Sequence, residues 1–365
     1  PESVPRRHVV VTASAGGQLE RELDRVGVAT DAYDVQPILP EKFRDYLFTL
    51  YPSLEDTDRR VSPTPIRRGD ASLPATLDGA DPAALVETIR GQHDRVSDVT
   101  RRIQSQVVHY LAMGGILSYA QDGAIEDASD LDEAAYDRLL GDVRHALYRE
   151  VPAFESVKTI ADLERVCALA ARNQATESVR YQRLVELFDV DRRTIRDSYL
   201  SALAELYLLT ATTEYDNARP RSVRLYLRDT GLVTAFTDGE PTSALRDRDV
   251  EANLARIAAF DHTMRFAYGV NAANGNDVEP TVEYWESRHG TVDFVFEVND
   301  TPVPIALAYQ PPVEDKRAAL DAFLETYETP IGFLVTGDTV GDNAAIQQTR
   351  DGIVQLPYWL YLLLC

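Results

Sequence analysis

An α/β fold, α+β in its overall order, is predicted by three features of the sequence. Apolar residues recur at helical spacing through much of 82–206. Residues 180–229 pass from two short helices into two short strands. After residue 248 the order is helix, three strands, helix, strand, which predicts a mixed sheet flanked by helices.

Residues 180–229 organise the rest. Tyr181, Leu184, Val185 and Phe188 form one apolar helical face. Asp189-Val190-Asp191 interrupts it, and Asp191 is an N-cap residue for a second helix burying Ile195, Tyr199, Leu203 and Leu206. Arg192, Arg193 and Arg196 then point outward from its first turns, the arrangement of a helix-turn-helix. Residues 208–213 and 223–227 read as strands around a polar turn, a hairpin carrying Arg219, Arg221 and Arg224, so the whole reads as a winged helix. Nine arginines face eight acidic residues here, a net +1 in a chain of −22. These six arginines are the expected contacts to double-stranded DNA, with packing against a protein partner as the other reading.

The chain has 365 residues, enough for two or three domains. Lysine occurs only at Lys42, Lys158 and Lys316. Acid excess with lysine nearly absent resembles the proteome of salt-accumulating haloarchaea, where carboxylates hold water and cations. The acidity is thus read as solvation, and it does not exclude nucleic acid, because molar salt screens it. Cys167 and Cys365 have no metal or disulfide spacing, and no metal site is expected. No apolar run reaches membrane-spanning length, so the expectation is no membrane contact and a cytoplasmic location. The first residues are Pro-Glu-Ser, with no signal-peptide pattern, and read as lacking an N-terminal portion.

In order, 8–14 reads as a buried strand, 16–26 as a helix, and 35–50 as an extended piece and a helix with Phe43, Leu47 and Leu50 inward. Residues 56–82 read as a loop, 82–113 as one helix, 131–150 as another, and 161–172 as the first helix of the winged-helix domain. Asp229 is read as the cap of a helix starting at Thr230. The strand ending Val-Val-Thr-Ala-Ser, the element around Pro37 and Phe43, Met113-Gly114-Gly115-Ile116-Leu117 and Asp229-Thr230-Gly231-Leu232 resemble, in that order, a family of prokaryotic AAA+ ATPases. That family carries a C-terminal winged helix and a PD-(D/E)xK nuclease-like domain. The resemblance implies that Thr12 and Ser14 sit at the sensor-1 position facing ATP. It departs from the family at Gly27-Val28, where an arginine usually follows the glycine, and in lacking proline after Gly114-Gly115. No Walker A or Walker B motif occurs, so ATP and Mg²⁺ are expected only with a further N-terminal part.

The implied domains are 1–55, the end of the ATPase core; 56–155, a variable loop and helical lid; 156–235, the winged helix; and 245–365, the nuclease-like domain. In the last, strands are expected at 281–287, 290–298, 303–309 and 331–336, a helix at 316–327, and, within 354–364, a proline followed by an apolar helix. Glu251 and Asp293 match the family's first two acidic positions, and the third strand reads Ile305-Ala306-Leu307-Ala308, with alanines where Glu and Lys belong. Glu297 and Gln310 are the side chains that could substitute. The site is therefore read as vestigial. The expected function is that of the C-terminal region of an ATP-binding protein, coupling nucleotide state to binding of a partner or DNA, with oligomerisation open. The alternatives are a winged-helix DNA-binding regulator without ATPase function and a Mg²⁺-dependent nuclease.

Overall fold

The structure, a computed structural model, describes residues 11–12, 16–29, 32–33, 38–50, 77, 81–116, 133–155, 157–173, 177–237, 246–273, 275, 280–310, 312–337, 346–348 and 352–365. Of the expected strand 8–14 only Val11 and Thr12 are among them. Both are exposed and in no regular structure. A strand needs a neighbour to complete its ladder, and no described strand pairs there. Ser14 and most of the loop 56–82 lie outside the described residues. α1 (Gly16–Arg25) is tied by Arg21 to Glu205 at 2.9 Å. α2 (Phe43–Leu50) buries Phe43, Tyr46 and Leu47.

The single helix expected over 82–113 is two, α3 (Pro82–Arg95) and α4 (Thr100–Met113). Asp81 caps α3, accepting from Ala83 N at 3.0 Å. Between them residues 96–99 form a turn, in which Val96 N donates to the His93 carbonyl at 3.1 Å and Val99 N to the Val96 carbonyl at 3.0 Å. Leu85, Ile89, Ile103, Val107 and Leu111 still bury one face.

α5 (Glu133–His145) continues through a π-helical turn, Ala146–Glu150, into Val151–Phe154. Pro152, lacking an N–H, lies just past the widened turn. α6 (Ile160–Arg172) and β1 (Val179–Arg180) lead into α7 (Tyr181–Phe188). Asp189 turns the chain at φ 50°, and Asp191 caps the next helix, accepting from Thr194 N at 3.0 Å. That helix, α8, runs as Arg192–Thr194, a π-helical Ile195–Leu200 and Ser201–Glu205, and buries Ile195, Tyr199 and Leu203. β2 (Leu209–Thr212) and β3 (Ser222–Leu227) pair antiparallel in a sheet of order β1-β3-β2, and α9 (Thr230–Thr237) follows.

α10 (Arg248–Ala273) buries Leu254, Ile257 and Phe260 against a six-stranded mixed sheet. Its strands are β4 (Glu283–Ser287), β5 (Gly290–Val298), β6 (Thr301–Ala308), then, after α11 (Val313–Tyr327), β7 (Gly332–Thr336), β8 (Gln347–Gln348) and β9 (Ile353–Pro357). The order is β4-β5-β6-β7-β9-β8. β4, β5 and β6 form an antiparallel meander, and β6, β7 and β9 are parallel. α11 covers the opposite face through Leu320, Phe323 and Leu324 on Val292, Val295 and Ala306. The proline and apolar helix expected within 354–364 are Pro357 and α12 (Tyr358–Leu364); the stretch before them was not expected as a strand, yet Ile353–Pro357 pairs parallel with β7.

Candidate nucleic-acid interface

The turn between α7 and α8 and the start of β3 form one locus. Tyr181 N donates to the Arg221 carbonyl at 3.0 Å, and β1 pairs Arg180 with Ser222. Arg192 joins α8 to the hairpin. Its Nη2 donates to the Pro220 carbonyl at 2.5 Å, and its guanidinium carbon stands 4.4 Å from the Tyr181 ring centroid. Arg193 and Arg196 project from the same end of α8 with side chains 87% and 61% exposed. Arg219 and Arg221 are exposed on the hairpin. Five of the six expected arginines thus share one end of the helix-turn-helix unit. Asp197 lies among them, 2.5 Å from Arg196 and 3.5 Å from Arg193, and its hydrogen bond to Arg196 holds its carboxyl below the usual range.

Arg224 does not join them. It is 1% exposed, turned away from that surface, and pairs with Glu286 at 2.7 Å across the contact between β3 and β4. Sequence places it on the hairpin beside Arg219 and Arg221; the partner strand that buries it is 60 positions away in the chain. Tyr226 on the same strand stacks on Phe260, with centroids 3.9 Å apart. The hairpin itself is anchored. Tyr284 N donates to the Thr213 carbonyl at 3.2 Å, Tyr215 N to the Tyr284 carbonyl at 2.7 Å, and Tyr215 Oη to Glu297 at 2.8 Å. It covers the outer edge of β4, which leaves only its 216–221 side outward.

The two expected carboxylates lie near one stretch of β6. The Tyr309 hydroxyl donates to Glu251 Oε1 at 2.5 Å, and Leu307 N donates to Asp293 Oδ2 at 2.8 Å. They share no ligand. Asp293 sits in a β-bulge, since Val292 and Val295 of β5 oppose Trp285 and Glu283 of β4. Two cations close on it: Lys316 Nζ at 2.6 Å from Oδ2 and Arg256 Nε at 3.1 Å from Oδ1. Burial alone would raise its pKa, but these charges outweigh that and hold it below the ordinary value. Ala306 and Ala308 pack in the apolar layer with α11. Glu297 is taken by Tyr215, and Gln310 donates to the Arg248 carbonyl, so neither substitutes as a ligand. Among the described residues no three His, Cys, Asp or Glu converge on a metal position. A cation at Asp293 would first have to displace Lys316 and Arg256.

Sequence reasoning missed Lys316 and Arg256. Lys316 carried a signal, being one of three lysines in the chain and lying in the helix that follows the alanine strand. Arg256 carried none, since a lone arginine on a long helix is ordinary. The expected sensor residues stay apart from this site: Thr12 is exposed outside any strand, and Ser14 is outside the described residues.

Residues 125–243 match a family described as a domain of unknown function (DUF8612). That span holds the exposed arginines and α5 to α9 but none of the six-stranded sheet. No curated protein and no solved structure matches the chain. Among the described residues no helix is long and apolar enough to cross a membrane.

Proposed function

We propose that this protein binds double-stranded nucleic acid through the α7–α8 helix-turn-helix and holds it without cutting it. The observation that carries the reading is the Arg192–Pro220 bond, which gathers Arg193 and Arg196 on α8 and Arg219 and Arg221 on the hairpin at one outward end. Arginines at the start of a second helix suit phosphate and base-edge contacts in a major groove. The hairpin contributes as a flank rather than as a free wing, because its 213–215 side is occupied by β4. The absence of hydrolysis follows from Asp293, whose charge is already matched by Lys316 and Arg256. The resemblance to AAA+ proteins extends the proposal: ATP and Mg²⁺ would be held by a Walker-type core elsewhere in the same polypeptide, and this region would couple that core to the duplex.

Fluorescence anisotropy with a labelled 20-base-pair duplex over a salt series tests it. Removing two phosphate contacts by R193A/R196A should lower the slope of log K against log salt by about 2 and weaken binding roughly tenfold or more at low salt. Undiminished binding by that variant would remove the assignment.

A further inference from the structure

Asp229 ends β3 and starts α9, and its two carboxylate oxygens do different things. Oδ1 accepts from Gly231 N at 2.8 Å, the ordinary bond of a helix cap. Oδ2 reaches across 114 positions of sequence and accepts from Gly115 N at 2.6 Å. A cap alone would not need that second bond, nor the glycines around it. A Cβ on Gly114, whose φ is +78°, would stand 2.1 Å from Asp229 Oδ1. One on Gly115 would stand 2.1 Å from the Glu41 carbonyl oxygen, and one on Gly231 2.6 Å from that of Met113. The 114–115 turn and the start of α9 therefore close on one buried carboxylate, and residue 41 closes on that turn, only because Gly114, Gly115 and Gly231 carry no Cβ.

The chain of bonds continues into the N-terminal segment. Glu41 N donates to the Gly115 carbonyl at 2.7 Å, and Tyr110 Oη donates to the Glu41 carbonyl at 3.0 Å. Two residues on, Phe43 N donates to His262 Nε2 at 3.0 Å, while His262 Nδ1 donates to the Ala258 carbonyl at 2.8 Å. Lys42 Nζ donates to the Cys365 carbonyl at 2.7 Å. Residues 41–43 are thus gripped from one side by α4 and Asp229, and from the other by α10 and the end of the chain.

We infer that Asp229 is a latch through which residues 41–43 set the orientation of the helix-turn-helix unit, and hence of its arginine end. Displacing 41–43 removes the bond that Glu41 N gives the Gly115 carbonyl and so loosens the turn whose Gly115 N is held by Asp229. That carboxylate stands between β3 and α9, and α9 packs on α6, the helix that precedes the α7–α8 unit. The device rests on the proposed nucleic-acid binding for its consequence but not for its geometry.

Asp229→Asn separates the two. The amide retains an acceptor for Gly231 N and sets a donor against Gly115 N. Hydrogen exchange should speed up at least tenfold at Glu41, Phe43 and Gly115 while α9 stays protected, and duplex affinity should shift at least threefold. Tyr110→Phe, which removes only the hydroxyl bond to Glu41, should raise exchange at Glu41 and Phe43 in the same direction and serves if the first variant does not fold. Unchanged exchange at Glu41 and Phe43 overturns the latch, and raised exchange with unchanged affinity overturns its coupling to the arginine end. R193A/R196A should weaken binding as stated above and leave these amides protected. A wild-type protein that binds no duplex sinks the proposed function, while the exchange result still decides the latch.

Discussion

The Arg224 guanidinium carbon stands over the Tyr284 ring, 3.8 Å from its centroid, where the hairpin meets the edge of the large sheet. A cation stacked on an aromatic ring and paired with Glu286 is a structural joint, not a surface charge. Arg224→Leu should lower stability by about 2–3 kcal/mol, since it removes both contacts while the half-exposed Glu286 can rehydrate. Urea denaturation measures the loss. The salt slope of duplex binding should not move; a slope reduced by one would return Arg224 to the contact surface.

Asp293 is held by two cations and a backbone N–H, so Asp293→Ala leaves Arg256 and Lys316 without the counter-charge they share. The expected cost is about 3–5 kcal/mol. Millimolar Mg²⁺ should leave the wild-type melting temperature unchanged, because bound metal would raise it by mass action. A Mg²⁺-dependent rise that Asp293→Asn abolishes would make the carboxylate a metal ligand.

Two buried groups give opposite pH dependences. Burial depresses His262 from 6.5 to about 3, so its neutral form stabilises the fold fully above pH 6.5, and this contribution is lost as pH falls toward 3. Burial raises Asp229 from 3.8 to about 6, outweighing the N–H bonds from Gly115 and Gly231 and the charge of Arg265, with Asp261 adding to the rise. Its contribution is full below pH 3.8 and gone above about 6. Urea midpoints between pH 4 and 8 should show wild type losing stability relative to His262→Gln as pH falls, and gaining relative to Asp229→Asn. Parallel curves for all three proteins would contradict both assignments.

Under the proposed binding, Asp197, paired with Arg196 and Arg193, competes with phosphate for them. Asp197→Asn should tighten duplex binding about three- to tenfold at low salt, with the gain fading as salt rises. Anisotropy at two salt concentrations reads this directly. Weaker binding would mean that Asp197 orients the arginines productively.

Much of this architecture was legible where a pattern is local. The apolar faces of α7 and α8, the cap at Asp191, the cap at Asp229 and the strand at 290–298 each follow from neighbours within a few positions. The break between α3 and α4 was missed because the apolar spacing runs across it undisturbed. The strand at 353–357 was missed because an apolar run has no period to read.

By itself the sequence determined which residues are apolar on which face, where helices begin, and that Ala306 and Ala308 stand on a strand with no ligand to offer. Only the tertiary structure decided the fate of the long cations. Arg193 stays in solvent, Arg224 is buried on Tyr284, and Lys316 and Arg256 close on Asp293. The reason is physical. Periodicity is set by bonds a few residues long, whereas a flexible charged side chain goes wherever the nearest counter-charge or ring lies, and its position depends on how distant strands and helices come to meet.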